Sequence, residues 1–335
     1  MPEHTATALA HPNIAFVKYW GNQDNLLRLP ANASLSLNLG GLETVTTVIF
    51  SPTLKEDEVM IGGELQAGVP ARRVSAHLDH IRKKAGLNLR ARVESRNNFP
   101  MGAGIASSAS AFAALTVAGA AAAGLQLEER ELSALARLGS GSACRSVPPG
   151  FVEWQTGTAY QGVTSGEPCD DSFAFSIAPP DHWALSDVIA VVNQAPKPVT
   201  STDGHALAHT SPFHAVHVVT AADRLQRCRA ALFARDFAAL AEVVEADSTI
   251  THAVMMTSTP PLFYWEAATL KIMKAVPAWR TGGLPVCYTV DAGPNVHCLC
   301  LAEAAPEVER RLREELDIGQ ILTATPGGGA HLLST

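Results

Sequence analysis

Asn97–Ala114 reads NNFPMGAGIASSASAFAA, with Gly102 and Gly104 in a turn that runs into Ser107 and Ser108 at the start of a strongly helical stretch. A glycine-rich turn brings several backbone N–H groups toward one point, and a helix N-terminus adds unpaired donors and the positive end of the helix dipole. Phosphate is the natural ligand of such a turn. The segment has neither the Gly-Lys-Ser/Thr of a Walker A loop nor the GxGxxG that opens a dinucleotide fold. On the residues alone, an ordinary helix start whose serines satisfy the first amides accounts for it equally well.

Before the turn, Ala33–Leu39 (ASLSLNL) and Thr44–Phe50 (TVTTVIF) alternate as strands do, and Val74–Ala85 has helical periodicity. After it come the helix from Ser107 and a second helical stretch, Leu127–Leu138. Ser186–Asn193 (SDVIAVVN) reads as a buried strand, Phe213–Ala246 and Pro261–Ala275 as helices, Val286–Val290 and His297–Leu301 as a strand pair, and Pro306–Leu316 as an amphipathic helix. Strands followed by helices in each half predict an α+β protein of two lobes, 1–185 and 186–335. No repeat or low-complexity tract interrupts them.

A chain of 335 residues buries enough apolar surface to fold without disulfides. Its six cysteines, Cys144, Cys169, Cys228, Cys287, Cys298 and Cys300, form no CxxC pair, and most sit in apolar runs, as reduced thiols of a cytoplasmic protein would. The twelve histidines show no HExxH spacing, which argues against a tightly held transition metal. A net charge of −7 without a basic stretch argues against a nucleic-acid partner. The start of the chain lacks the basic and apolar pattern of a secretory signal, and the small side chains of Ala109–Leu125 suit a packed helix better than a membrane span.

Pro100–Ala109 (PMGAGIASSA) resembles the P-x-x-x-G-x-x-S-S-A phosphate motif of the GHMP kinase superfamily. Pro12–Gly21 (PNIAFVKYWG), Gly139–Ser146 (GSGSACRS) and Tyr288–Asn295 (YTVDAGPN) are similar to further segments of its mevalonate diphosphate and phosphomevalonate decarboxylase branch, in the same order. The resemblance implies a GHMP fold, with an N-terminal lobe like ribosomal protein S5 domain 2 and a ferredoxin-like C-terminal lobe. It also implies ATP-dependent decarboxylation of a phosphorylated mevalonate in isoprenoid biosynthesis, Mg2+ arriving with ATP, and a homodimer.

The resemblance assigns Asp291 as the catalytic aspartate at the substrate's 3-hydroxyl, Lys18 as its partner, and Arg145 as the group that holds the carboxylate. Each residue type suits that chemistry, but Asp291 read alone equally begins a turn before Gly293 and Pro294, and Arg145 could be a surface arginine. By the same resemblance the substrate meets Tyr19, Asn22, Arg73, Ser140, Gly141, Ser142, Ser201 and Thr202. ATP meets Asn97, Asn98, Gly102, Gly104, Ser107 and Ser108, with Ser108 nearest the Mg2+. Trp20 is read as core.

The family usually carries a lysine and an arginine after Tyr-Trp-Gly; here Asn22 and Gln23 precede Asp24. The missing lysine lies toward the diphosphate tail, and one charge-assisted contact is worth about 1.5–3 kcal/mol. Mevalonate 5-phosphate, giving isopentenyl phosphate, is therefore the expected substrate. The alternative is mevalonate 5-diphosphate with another cation, such as His209, filling the gap. A 3-kinase that stops after phosphorylation and a non-catalytic sensor are secondary readings, because Lys18, Arg145 and Asp291 are all present.

Overall fold

The computed structural model describes residues 4–100, 107–157, 171–195 and 199–334. Gly102, Gly104 and Cys169 lie outside the described residues. In chain order the first half holds β1 (His4–Ala10), β2 (Asn13–Val17), β3 (Asn22–Asp24), β4 (Leu29–Pro30), β5 (Ser34–Gly40), β6 (Thr44–Ser51), β7 (Glu58–Ile61), β8 (Glu64–Leu65), α1 (Gly68–Ala85), β9 (Arg90–Asn97), α2 (Ser107–Ala122), α3 (Glu129–Gly139) and β10 (Phe151–Trp154). The second holds β11 (Ala174–Ala178), β12 (Leu185–Val191), α4 (Ser201–Leu207), α5 (His214–Ala234), α6 (Phe237–Met256), α7 (Ala267–Thr281), β13 (Val286–Val290), β14 (Val296–Leu301), α8 (Ala305–Glu314), β15 (Gln320–Pro326) and β16 (His331–Leu332).

Two sheets carry the α+β architecture. One runs β16-β1-β6-β9-β7-β8, and α2 lies on β1 and β6. The apolar side chains of α2 are buried almost all round, which explains why its sequence shows so little polar face. The other sheet runs β11-β10-β5-β15-β12-β14-β13, with β2 paired to β5. Its core packs Leu35, Leu37 and Ile189 against Leu225, Leu240 and Val244 of α5 and α6, while α7 and α8 cover β12, β13 and β14 through Ile272, Val276, Val308 and Leu312.

Several boundaries differ from the periodicity. The helical stretch expected over Phe213–Ala246 is two helices, because Arg235 takes a left-handed φ of 53° and Asp236 then caps α6 through Ala239 N–H. The helix expected from Pro261 begins at Ala267, behind a capping box of Glu266 and Thr269, and continues through Pro277 to Thr281. The strand β15 had no clear signal in the sequence. It is antiparallel to β12 over Gln320–Ala324 and to β5 at Thr325 and Pro326, so the end of the chain closes the gap between the halves.

Candidate active site

β2 is buried along its whole length and ends at Val17, so the next side chain, Lys18, is carried into the interior at 4% exposure. Its ammonium cannot stay there unpartnered. Nζ donates to Asp291 Oδ1 at 2.6 Å and to the carbonyl of Ala15 at 2.9 Å. The backbone N–H of Lys18 donates to Asp247 Oδ2 at 2.6 Å, and its carbonyl accepts from Asn32. Asp291 is the first residue after β13 and keeps 26% of its side chain exposed. Its carbonyl accepts from Gly293 N–H in a turn, so the turn and the carboxylate paired with Lys18 coexist at one residue. Burial pushes the Asp291 carboxyl up, but Lys18, His297 and Arg145 outweigh it and hold the group below the ordinary aspartate value. It is therefore an anion at neutral pH.

Arg145 closes a short 3-10 turn, Gly141–Ser146, that follows α3 directly. The guanidinium is 4% exposed; Nε donates to Asn13 Oδ1 at 3.2 Å and Nη1 to Ser34 Oγ at 2.8 Å. Both acceptors are neutral, and among the described residues no carboxylate lies within ion-pair distance. Burial lowers its basicity, with Asp291 among the anions that offset this. A guanidinium fork matches a carboxylate or phosphate in geometry and charge. Tyr19 lies over the loop: a Cβ on Gly141 would come within 2.7 Å of the Tyr19 ring, so glycine is needed for this approach.

These groups line one cavity of about 360 Å3, together with Ser107, Ser108, Ser140, Ser142, Arg73, Thr200, Ser201 and Thr202. Ser107 and Ser108 stand at the N-terminus of α2, and Ser108 Oγ is 3.3 Å from Ser140 Oγ, which joins the helix start to the Ser140–Ser142 loop. A second cavity of about 180 Å3 shares Arg73, Ser107 and Ser108 and is mainly apolar, walled by Val59, Ile61, Val93 and Leu115, with Thr46, Ser95 and Asn97 at its edge. An apolar slot beside a helix N-terminus suits a planar base next to its phosphates.

Not every expected residue meets the cavity. Asn22 does not line it: its Oδ1 accepts from the Tyr19 hydroxyl and its Nδ2 donates to Asn25, so the amide is consumed locally. Asn98 is exposed and ties Glu43 to Gly41, and Asn97 accepts from Thr44 beside the apolar slot. His209 is exposed and lines neither cavity, so it does not fill the place of the missing cation. Trp20 is 2% exposed and packs with Ala208, Met255 and Tyr264 as core, yet it also touches the cavity.

Sequence reasoning missed Asn13, Arg28, His205 and Thr251. His205 stacks on Tyr19 with centroids 4.0 Å apart, and its Nδ1 accepts from Gly21 N–H. Burial, then the positive charges of Arg28 and Arg145, pull it down to about 3, so the ring is neutral with its proton on Nε2. The PNIAF segment could have signalled Asn13, whose amide holds both Arg145 and Ser146.

Among the described residues no group of three His, Cys, Asp or Glu side chains could hold a metal ion, and no helix is long and apolar enough to cross a membrane. The five described cysteines are buried, and those with shifted basicity are pushed up by burial, Cys144 to about 12.

Residues 10–166 match the diphosphomevalonate decarboxylase-like N-terminal domain, and residues 187–325 match the mevalonate 5-diphosphate decarboxylase C-terminal domain. Diphosphomevalonate decarboxylase of Ganoderma lucidum is 39% identical over 320 residues, covering 88% of this chain and 78% of its own. The human enzyme of that name is 38% identical, covering 91% and 79%. Among solved structures, mevalonate diphosphate decarboxylase from Enterococcus faecalis superposes with a TM-score of 0.91 at 35% identity, covering 100% of both chains. The Staphylococcus aureus enzyme gives 0.92 at 35% identity, covering 99% of both. A further match, a complex with MVAPP, AMPPCP and magnesium, gives 0.92 at 36% identity over 100% of both chains. With two family models spanning most of the chain and a cavity that joins Lys18, Arg145 and Asp291, the chain belongs to the mevalonate diphosphate decarboxylase family of the GHMP kinase superfamily.

Proposed function

We propose that the protein is an ATP-dependent decarboxylase of a 5-phosphorylated mevalonate. The observation that carries this reading is the convergence in one cavity of the Lys18–Asp291 ion pair, a buried Arg145 with no carboxylate partner among the described residues, and the serines at the start of α2. Arg145 would hold the substrate carboxylate in two parallel hydrogen bonds. Asp291 Oδ would accept the hydrogen bond of the 3-hydroxyl and align its oxygen with the terminal phosphate of ATP. An anion held below ordinary aspartate basicity is a weak base, and phosphoryl transfer through a loose transition state asks chiefly for alignment. Lys18 fixes that carboxylate and would place positive charge where the phosphate gathers negative charge. Loss of phosphate from C3 and of CO2 from the neighbouring carbon then leaves the alkene.

The serine-rich helix start and the apolar slot fit a nucleotide: Ser107 and Ser108 would meet the phosphates, and Asn97 would border the base. Without an acidic ligand cluster among the described residues, Mg2+ would enter on the nucleotide's oxygens, with Ser108 nearest. Bound there, the ion would supply charge neutralisation. Ser140–Ser142, Ser201, Thr202 and Arg73 would hold the remainder of the substrate. The lobes 1–185 and 186–335 and a homodimer belong to the same proposal; light scattering would give twice the 35.3 kDa chain mass for the dimer.

For the substrate we favour mevalonate 5-phosphate, giving isopentenyl phosphate, since position 22 is neutral and its amide is turned away from the cavity. The names of the relatives favour the second reading, mevalonate 5-diphosphate. Side-by-side assays with mevalonate, its 5-phosphate and its 5-diphosphate, following ADP, phosphate and CO2 together, separate them. Preference for the diphosphate would overturn the monophosphate reading. ADP without CO2 would identify a kinase, and binding without either product a sensor.

A further inference from the structure

Arg28 sits in the turn between β3 and β4, with a left-handed φ of 49° that few non-glycine residues adopt. Its Nε donates to the carbonyl of Leu138 at 2.9 Å. Arg73, from α1, donates Nη2 to the next carbonyl, Gly139, at 3.2 Å. Two guanidiniums from separate elements thus grip consecutive carbonyls at the end of α3, immediately before the loop Ser140–Ser142. A cation is favourable at a helix C-terminus. That contact uses one N–H of each, however, and a guanidinium has five to satisfy.

Both arginines line the main cavity, and among the described residues neither has a carboxylate within ion-pair distance. Burial lowers the basicity of each, and Arg28 lowers that of Arg73 further. Two like charges sharing a desolvating wall repel one another until an anion joins them. On the outgoing strand of the same hairpin, Asn22 has its amide committed to Tyr19 and Asn25. The cation nearest to that role is therefore on the returning side of the turn.

We propose that Arg28 is a specificity-determining residue which, with Arg73, seats the phosphoryl end of the substrate against the Ser140–Ser142 loop. The substrate class rests on the function proposed above. Two planar forks match one phosphate group in geometry and in charge, since a monoester carries about −1.5 to −2 at neutral pH.

The test measures KM for mevalonate 5-phosphate and for ATP in the unmodified protein, Arg28→Gln, Arg28→Lys and Arg28→Gly. It is paired with calorimetric titration of mevalonate 5-phosphate and of unphosphorylated mevalonate. The glycine variant guards against misfolding, because glycine accepts the positive φ without strain. Expected for Gln and Gly is a rise of about tenfold or more in KM and Kd for the phosphorylated compound, the loss of one charge-assisted contact. KM for ATP and Kd for mevalonate should stay within about twofold. Lysine should restore part of the affinity, as a point charge without the fork. Unchanged affinity in a folded variant, or an equal loss for phosphorylated and unphosphorylated compounds, would overturn the assignment. If the unmodified protein released no CO2, the proposed function would fail, while the calorimetric comparison would still decide the role of Arg28.

Discussion

The bond between Lys18 Nζ and Asp291 Oδ1 would tie stability to the proposed chemistry at a single pair of residues. From the sequence, Asp291→Asn would be expected to silence turnover and spare the fold. The structure alters that expectation, because Lys18 is 4% exposed and the amide would leave its ammonium among neutral acceptors, without a counter-charge. We expect turnover at least about a hundredfold lower and a loss of about 2–3 kcal/mol, below the range for a fully buried pair because Asp291 is partly open to the cavity. The sign of the pH dependence follows from the direction of the shift. A carboxyl held below its unfolded value contributes stability that is present above about pH 4 and is lost as pH falls through the folded value. Urea melts of both proteins between about pH 3 and 7 should therefore converge at the acid end; a constant difference would assign the loss to packing instead. Asn22→Lys tests the other residue-scale claim. It removes the acceptor of the Tyr19 hydroxyl and returns an ammonium to the hairpin, so kcat/KM for the diphosphate relative to the monophosphate should rise about tenfold. An unchanged ratio in competition assays would place the discrimination elsewhere. Position 22 also shows a limit of reading residue by residue. The sequence reveals that a cation is absent there, but not that Tyr19 and Asn25 capture the amide, nor that Arg28, six residues on, reaches the cavity.

Elements, rather than single residues, set where Lys18 points. Asp247 on α6 is fully buried; Oδ1 accepts from Arg224 Nε on α5 at 2.6 Å and Oδ2 from the Lys18 backbone N–H at 2.6 Å. Arg224 also donates to Thr220 and to the His217 carbonyl. Two helices thereby clamp the end of β2 through one carboxylate. Burial pushes the Asp247 carboxyl up against the opposing pull of Arg224 and Lys18, so the arrangement depends on its cation. Arg224→Met should cost about 3–5 kcal/mol, as breaking one side of a buried pair does, and should lower kcat more than KM for ATP because Lys18 and Asp291 lose their register. Chemical denaturation and steady-state kinetics check the two halves of that statement; loss of stability with kcat preserved would make the pair purely structural. The helical character of Phe213–Ala246 was legible in the sequence from its periodicity, although not its division into two helices, and β2 was not read as a strand. The clamp was not legible, since Arg224 and Asp247 lie 23 positions apart on separate helices and carry no motif.

At the scale of the whole molecule, the loop Ser140–Ser142 and Lys18 come from the first half and Asp291 from the second, so the proposed catalysis would need the halves held in register. Strands followed by helices in each half made the α+β class readable, whereas the joint between the halves was hidden in residues that look like a tail. Gln320–Pro326 alternates only weakly, and its partners, Ser34–Gly40 and Leu185–Val191, are far away in the chain. Ala324 is 1% exposed, faces the core beneath α5 and α6, and lies opposite Asp187 in the ladder with β12. Ala324→Asp would place a second carboxylate in that core opposite Asp187, whose own partner His297 is already engaged, costing about 3 kcal/mol or more. Because β15 is bonded to both β5 and β12, the damage should not stay in one lobe. Hydrogen exchange should accelerate together in residues 34–40 and 185–191, and CO2 release should fall along with it. A conservative Ala324→Ser control, which adds a hydroxyl but no charge, should lie between the two. If exchange rose only in 185–191 while 34–40 stayed protected, β15 would belong to the C-terminal lobe alone, and the register of the active site would have to be held by β2, α6 and the Lys18–Asp291 bond without it.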